Sequence, residues 1–240
     1  MRTVGIVGGL GPETTSDFYL TLIRKFRDSC MSYPSIVIDN VAFPFYLERD
    51  IIQKSINEDK LLPFLKESIE RLNRGQADFI VIPCNTVHIF IDELRRESLV
   101  PIISMVDETV CTIKEKSYKK IGILATTKTI DDKLYETPLA ENGIDAIIPT
   151  KTEQDEMARI ILRILSNKSY LEDKSKLLSV INNLIERGAE CILSACTDIQ
   201  LILKQSDLDV KLIDTLDVLL SATFNGLISD INQNTKIKGR

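Results

Sequence analysis

Arg74-Gly75-Gln76-Ala77-Asp78-Phe79-Ile80-Val81-Ile82-Pro83-Cys84-Asn85-Thr86 and Arg187-Gly188-Ala189-Glu190-Cys191-Ile192-Leu193-Ser194-Ala195-Cys196-Thr197-Asp198 read as two copies of one passage. Each runs from an Arg-Gly helix ending, through an Ala-acid pair and an apolar run, to a cysteine followed by small polar residues. A short apolar run bounded by turn residues is the pattern of a strand buried on both faces, as in a parallel sheet. Two thiols at equivalent strand ends of a duplicated fold would face one substrate from opposite sides.

The same pattern extends outward. Further apolar runs bounded by turn residues occupy Thr3–Val7, Ser35–Val41, Pro101–Ser104, Ile121–Ala125, Ile144–Pro149 and Lys211–Ile213. Amphipathic stretches of helical length separate them, among them Thr15–Arg27, Asp59–Asn73, Glu153–Leu165 and Lys174–Arg187. This alternation predicts an α/β fold with parallel sheets and helices on both faces. Val4-Gly5-Ile6-Val7 matches Ile121-Gly122-Ile123-Leu124, and Val100–Asp107 matches Val210–Asp217. The interval between copies shortens in order, from 117 residues at Gly5 to 112 at Cys84 and 110 at Asp107. The expectation is two pseudo-symmetric, doubly wound lobes, 1–116 and 117–240, with the functional cleft between them. The last helix, about 214–230, is expected to pack back on the first lobe, and Asn232–Arg240 to fray as a polar tail.

Composition narrows the functions. A net charge of −5 gives no electrostatic reason for a nucleic-acid or anionic membrane partner. No apolar run reaches transmembrane length, and the glycine-broken N-terminus is no signal peptide. The five cysteines form an odd set without a framework, so free thiols in a reducing cytoplasm are expected. With one histidine, His88, and no CxxC spacing, no metal site is expected.

Ligands of open parallel sheets bind beyond the carboxyl ends of the strands. Four segments leave a strand there: Gly8–Thr15, Cys84-Asn85-Thr86, Thr126–Thr129 and Cys196-Thr197-Asp198. The glycine segment departs from the dinucleotide pattern, since Thr14 takes the third glycine position; a tight turn with Pro12 opening a helix suits it better. Cys30, Cys111 and Cys191 sit in or beside apolar elements and read as small hydrophobes. Cys84 and Cys196 each end a strand and open a helix, whose N-terminus is expected to lower the thiol pKa. His88, four residues after Cys84, suits orienting that thiol or binding a carboxylate. Asp198 suits steering the protonation of Cys196 or contacting an ammonium.

Taken together, Val4–Thr15, Pro83-Cys84-Asn85-Thr86-Val87-His88, Ile123–Thr129 and Ala195-Cys196-Thr197-Asp198 resemble the aspartate/glutamate racemase family, in its cofactor-independent aspartate racemase branch. The resemblance covers nearly the whole chain. It implies two pseudo-symmetric lobes, Cys84 and Cys196 as opposed acid and base, neither pyridoxal phosphate nor metal, and a homodimer. It further implies that Asn85, Thr86, Thr126, Thr129 and Thr197 hold the α-carboxylate and ammonium, with Gly9 lining the pocket. Two departures stand out. The glycine before the second cysteine and the glutamate two after it are here Ala195 and Asp198. The family's basic binders of a side-chain carboxylate also align poorly, with Arg49 and Lys151 as candidates.

The expected function is therefore racemisation of an amino acid, aspartate or glutamate first. One thiolate takes the Cα proton while the opposite thiol returns one to the other face. Hydantoin racemase and maleate isomerase chemistry on the same scaffold are alternatives, as are a non-catalytic two-lobed amino-acid-binding protein and a thiol-redox role. An arylmalonate decarboxylase, which needs one proton donor, fits two cysteines less well.

Overall fold

The computed structural model describes residues 2–29, 32–166, 168 and 171–237, and not the side chains of Gln53 and of residues from 230 on. Cys30 lies outside the described residues. Strands β1 (Thr3–Gly8), β2 (Ser35–Asn40), β3 (Phe79–Val81) and β4 (Ile102–Ile103) form one sheet, in the order β2-β1-β3-β4. Strands β5 (Lys120–Ala125), β6 (Asp145–Ile147), β7 (Cys191–Ala195) and β8 (Lys211–Asp214) form the second, in the order β6-β5-β7-β8. Every pairing is parallel. The α/β fold thus has two lobes of identical strand order.

The duplication reaches individual contacts. A Cβ on Gly5 would lie 3.0–3.4 Å from Ala77, Ile80 and Leu72; one on Gly122 would lie 2.8–3.2 Å from Ile192, Ala189 and Leu184. These are the same residue types at the same places. Each glycine lets the helix before the cysteine-bearing strand close onto the first strand of its lobe, which sets where that strand ends.

Helix α1 (Pro12–Asp28) begins at Pro12, whose ring presets the first helical φ. Its buried Phe18, Leu22 and Phe26 recur at four-residue spacing. Helix α2 (Phe45–Lys54) lies outside the expected helices. The helix expected from Asp59 is a 3-10 turn, Glu58–Lys60, followed by α3 (Leu62–Arg74), because Pro63 suits only the first helical turn. Strand β3 stops at Val81, short of Pro83, which has no N–H for the ladder. Helices α4 (Ile91–Glu97), α5 (Met105–Glu115), α6 (Thr127–Asp131), α7 (Glu136–Glu141), α8 (Lys151–Leu165), α9 (Leu171–Glu186) and α10 (Thr215–Ile237) complete the chain. Ser104 caps α5 by accepting from the Asp107 N–H, and Thr150 with Glu153 forms a capping box on α8.

Two helices cross between the sheets. Val106, Val110 and Ile113 of α5 pack with Ile121, Ile123 and Leu193 of the second sheet. Leu216, Leu219, Leu220 and Leu227 of α10 pack with Val4, Ile6, Phe79 and Val81 of the first. Residues from Asn232, expected to fray, continue α10 to Ile237; 238–240 lie outside the described residues. No helix among the described residues is long and apolar enough to cross a membrane.

Candidate active site

The carboxyl ends of β1, β3, β5 and β7 converge on a pocket of about 650 Å³, counted out to its open mouth. Cys84, Asn85, Thr86, Thr126, Cys196, Thr197 and Asp198 all line it. Cys84 and Cys196 follow the third strand of their respective sheets. Both are free thiols; Cys84 is half-buried and Cys196 is 4% exposed. The sulfurs share one local design. Backbone N–H groups of Thr86 and Val87 point at the Cys84 sulfur, and those of Asp198 and Ile199 at the Cys196 sulfur.

The expectation that helix N-termini lower both thiol pKa values is corrected. The chain after Cys84 makes a 3-10 turn, Thr86–Phe90, before α4, and the chain after Cys196 makes only the 3-10 turn Ile199–Leu201. Burial among apolar walls outweighs those few N–H groups. It pushes Cys84 up to about 12, with the Asp198 and Glu48 charges adding to the rise. Cys196 is also raised well above an ordinary thiol, by burial and then by Asp198. Both are held as thiols by these surroundings.

Polar groups from both lobes fix the rest. The hydroxyls of Thr86, Thr126 and Thr129 form a hydrogen-bonded triangle with sides of 2.9, 3.2 and 2.9 Å. Thr129 stands behind Thr126, outside the pocket lining. Asn85 accepts from the Tyr135 hydroxyl at 2.5 Å and donates to Thr215 Oγ1 at 3.0 Å, which leaves its second amide N–H for a ligand. Asp198 accepts from Thr14 Oγ1 at 3.2 Å and lies 3.9 Å from Cys196 Sγ. Burial, with the charge of Glu13 adding, raises its carboxyl to about 6.

The structure revises the reading of five further residues. His88 is outside the lining: its Nε2 accepts from the Met105 N–H at 3.0 Å, so Nδ1 carries the proton that goes to the Cys84 carbonyl at 2.8 Å. Both ring nitrogens are spent on backbone, and burial lowers its pKa to about 4, so it holds the Cys84 turn as a neutral ring and binds no carboxylate. Arg49 is exposed and outside the lining. Helix α2 turns Glu48, Ile51 and Ile52 toward the pocket, and this spacing puts Arg49 on another face. Lys151, at the start of α8, is 92% exposed and faces Asp155. Ala195 packs into the core with Leu193 and Ile213 on the face of β7 away from Cys196, so its methyl does not narrow the pocket. Gly9 is likewise not in the lining. It turns the chain with φ 82° and gives its N–H to Thr15, leaving Leu10 and Gly11 at the pocket wall. Of the other cysteines, Cys191 is buried and Cys111 exposed.

The profile of the Asp/Glu/Hydantoin racemase family matches residues 7–223, almost the whole of both lobes. The chain belongs to that family. Within it, the broad specificity amino-acid racemase RacX of Bacillus subtilis (strain 168) is 28% identical over 229 residues, 92% of this chain and 96% of that protein. The crystal structure of an aspartate racemase homologue from Pyrococcus horikoshii OT3 superposes with a TM-score of 0.77 at 27% identity, covering 95% of this chain and 100% of that one. Picrophilus torridus aspartate racemase has the same fold, with a TM-score of 0.77 at 24% identity over 96% of this chain and 94% of that one. Among the described residues, no cluster of three or more His, Cys, Asp or Glu side chains is placed to hold a metal ion.

Sequence reasoning missed Glu48, Thr14, Tyr135 and Thr215. Glu48 had a signal: an acid three and four residues before Ile51 and Ile52, on the face an amphipathic helix turns inward. Thr14 lies within the Gly8–Thr15 segment already placed at the site, whereas Tyr135 and Thr215 reach it from the turn before α7 and the start of α10, and nothing in local spacing ties those two to it.

Proposed function

We propose that the protein is an amino-acid racemase that needs no pyridoxal phosphate and uses Cys84 and Cys196 as its two acid–base groups. The supporting observation is that the two thiols, from equivalent strand ends of the two lobes, line one pocket. The high thiol pKa values set the order of events. A bound α-ammonium opposes the negative field of Asp198 and Glu48, which favours ionisation of one thiol. The proton of Cys196 is released to solvent through the pocket mouth as the substrate binds, while Asp198, 3.9 Å from Sγ, keeps its charge for the ammonium. The resulting thiolate removes the Cα proton, and the neutral thiol of Cys84 delivers its own to the opposite face. One thiol and one thiolate remain with their roles exchanged, and the next substrate reacts in the other sense.

Negative charge spreads from Cα into the α-carboxylate as the proton leaves. The Asn85 amide and the Thr86–Thr126–Thr129 hydroxyl triangle are held in place by protein partners and so need no reorganisation to meet it. Positioned acid–base groups contribute on the order of 10²–10⁴-fold, and fixed dipoles in a water-poor pocket must supply much of the remainder.

The test is chiral analysis of a panel of L-amino acids incubated with the protein in D₂O without added cofactor. The expected product is the D-isomer carrying deuterium at Cα. Cys84→Ser and Cys196→Ser should each abolish full turnover while one-sided exchange persists. Undiminished racemisation in both single variants would falsify the two-thiol assignment; ligand-induced stabilisation with no solvent exchange would favour a binding protein instead.

A further inference from the structure

The racemase proposal leaves the substrate's side chain open, and the pocket carries an argument about it. The α-ammonium has one carboxylate to meet, Asp198, buried beside Cys196 and steadied by Thr14. A second carboxylate, Glu48 of α2, lines the same pocket and makes no hydrogen bond or ion pair with any described residue. The charges that reach it are those of Asp198 and Glu13, both negative, and burial with these charges raises its pKa. The third acid of the lining, Glu58, is answered by Lys128 at 2.6 Å. Among the described residues, no lysine, arginine or histidine lines the pocket.

An aspartate or glutamate side chain would have to leave water for apolar walls, meet no cation, and lie near an unpaired Glu48. Each of these costs free energy. Arg49 and Lys151 were the candidate binders of an acidic side chain, and neither reaches the pocket. The walls are Phe43, Ile51, Ile52, Phe90 and Leu165. Ile51 and Ile52 lie on the same face of α2 as Glu48, three and four residues along, so the helix presents an apolar surface with a carboxylate at one end. Methylenes fit along such a surface, and a terminal cation fits at Glu48. A purely aliphatic side chain would satisfy the walls but leave Glu48 unpaired.

We infer that the substrate is an amino acid whose aliphatic side chain ends in a cation, as in lysine, ornithine or arginine, and that Glu48 is the residue that selects it. This rests on the racemase reading, and the experiment keeps the two separable. The intact protein in D₂O is given L-lysine, L-norleucine (the same chain without the amine) and L-aspartate, and both Cα deuterium and ligand-induced thermal stabilisation are measured.

Lysine is expected to exceed norleucine in kcat/KM by about tenfold or more, and aspartate by about a hundredfold, as for a paired against an unpaired buried charge. Glu48→Gln is expected to lower the lysine-to-norleucine ratio by about tenfold or more, a ratio that general loss of activity does not move. Aspartate turned over faster than lysine overturns the inference and leaves the racemase standing, as does a ratio unchanged in Glu48→Gln. Should Glu48→Gln fail to fold, the wild-type panel decides alone. Stabilisation by lysine above aspartate, without exchange of any amino acid, removes the racemase reading and keeps the ligand class. Stabilisation by aspartate above lysine removes the ligand class as well.

Discussion

At Asp198 the proposed function and stability pull in opposite directions. Its carboxyl is buried beneath Gly11 and Thr14, with Glu13 near, and is raised from 3.8 to about 6. A carboxyl raised on folding favours the native state while protonated; that contribution is complete below pH 3.8 and is lost as pH rises through about 6. At neutral pH the fold therefore carries an ionised, poorly paired carboxylate. Asp198→Asn should raise the thermal midpoint at pH 7.5, by on the order of 2 kcal/mol of stability, and the gain should vanish near pH 4. Scanning calorimetry of both proteins across that range checks it, and a variant less stable than wild type at pH 7.5 would refute it. On the proposed mechanism the same variant should lose most racemase activity, because the charge proposed to meet the ammonium beside Cys196 goes with the carboxylate. Retaining this acid in place of a more stabilising amide is the kind of local conflict expected where a site needs a charge.

The supporting elements show what makes the two cysteine turns equivalent. Gly5 and Gly122 admit Leu72, Ala77 and Ile80 in one lobe and Leu184, Ala189 and Ile192 in the other, so each turn inherits its position from a tightly packed strand–helix contact. Gly5→Ala and Gly122→Ala should each cost about 1–3 kcal/mol by overpacking, lowering the thermal midpoint by several degrees. Gly5→Ala should cost at least as much as Gly122→Ala, since its Cβ would meet Ala77 Cβ, fixed to the backbone, at 3.0 Å, whereas the 2.8 Å contact at Gly122 is with Ile192 Cδ1, the free end of a side chain. Equal midpoints for both variants and the wild type would show that these contacts do not set the packing. This duplication was readable in the sequence because buried parallel strands need unbroken apolar runs and the close contacts need the same small residues in both copies. The thiols' ionisation was not readable: a helix start at Asn85 or Thr197 looks the same in sequence whether it becomes an α-helix or a 3-10 turn. The spacing of Glu48 to Ile51 and Ile52 did carry the choice between Glu48 and Arg49, because residues three and four apart share one face of α2. The Asn85 partners Tyr135 and Thr215 lie in the other half of the chain, beyond any local motif.

For the molecule as a whole, the question is what holds the lobes together over the pocket. Helices α5 and α10 each pack against the other lobe's sheet, so the lobes share much of their cores far from the pocket. At the pocket mouth the connection runs through α2. Helix α2 lies against α6 and α8 of the second lobe, and its Ile52 joins that lobe's core with Met157 and Ile161. Close by, Lys128 of α6 is 8% exposed and donates to Glu58 at 2.6 Å, with Asp132 at 3.0 Å on its other side. Burial alone would raise the Glu58 carboxyl, but its bond to Lys128 reverses that and leaves it lowered. Glu48, Ile51 and Ile52 of α2 line the pocket together with Glu58, so a displacement of α2 would open it. Glu58→Gln keeps the side-chain shape but replaces a charge-assisted bond with a neutral one, while Lys128 retains Asp132. The bond lost is worth about 1–2 kcal/mol, so opening of α2 should become roughly 5–30-fold more frequent. Amide hydrogen exchange across Phe45–Lys54 should accelerate by that factor, with α5 and α10 unchanged because their burial does not depend on the pair. Uniform acceleration over the whole chain would instead place Glu58–Lys128 among the bonds that hold the global fold, and unchanged exchange in α2 would remove the pair from control of the pocket.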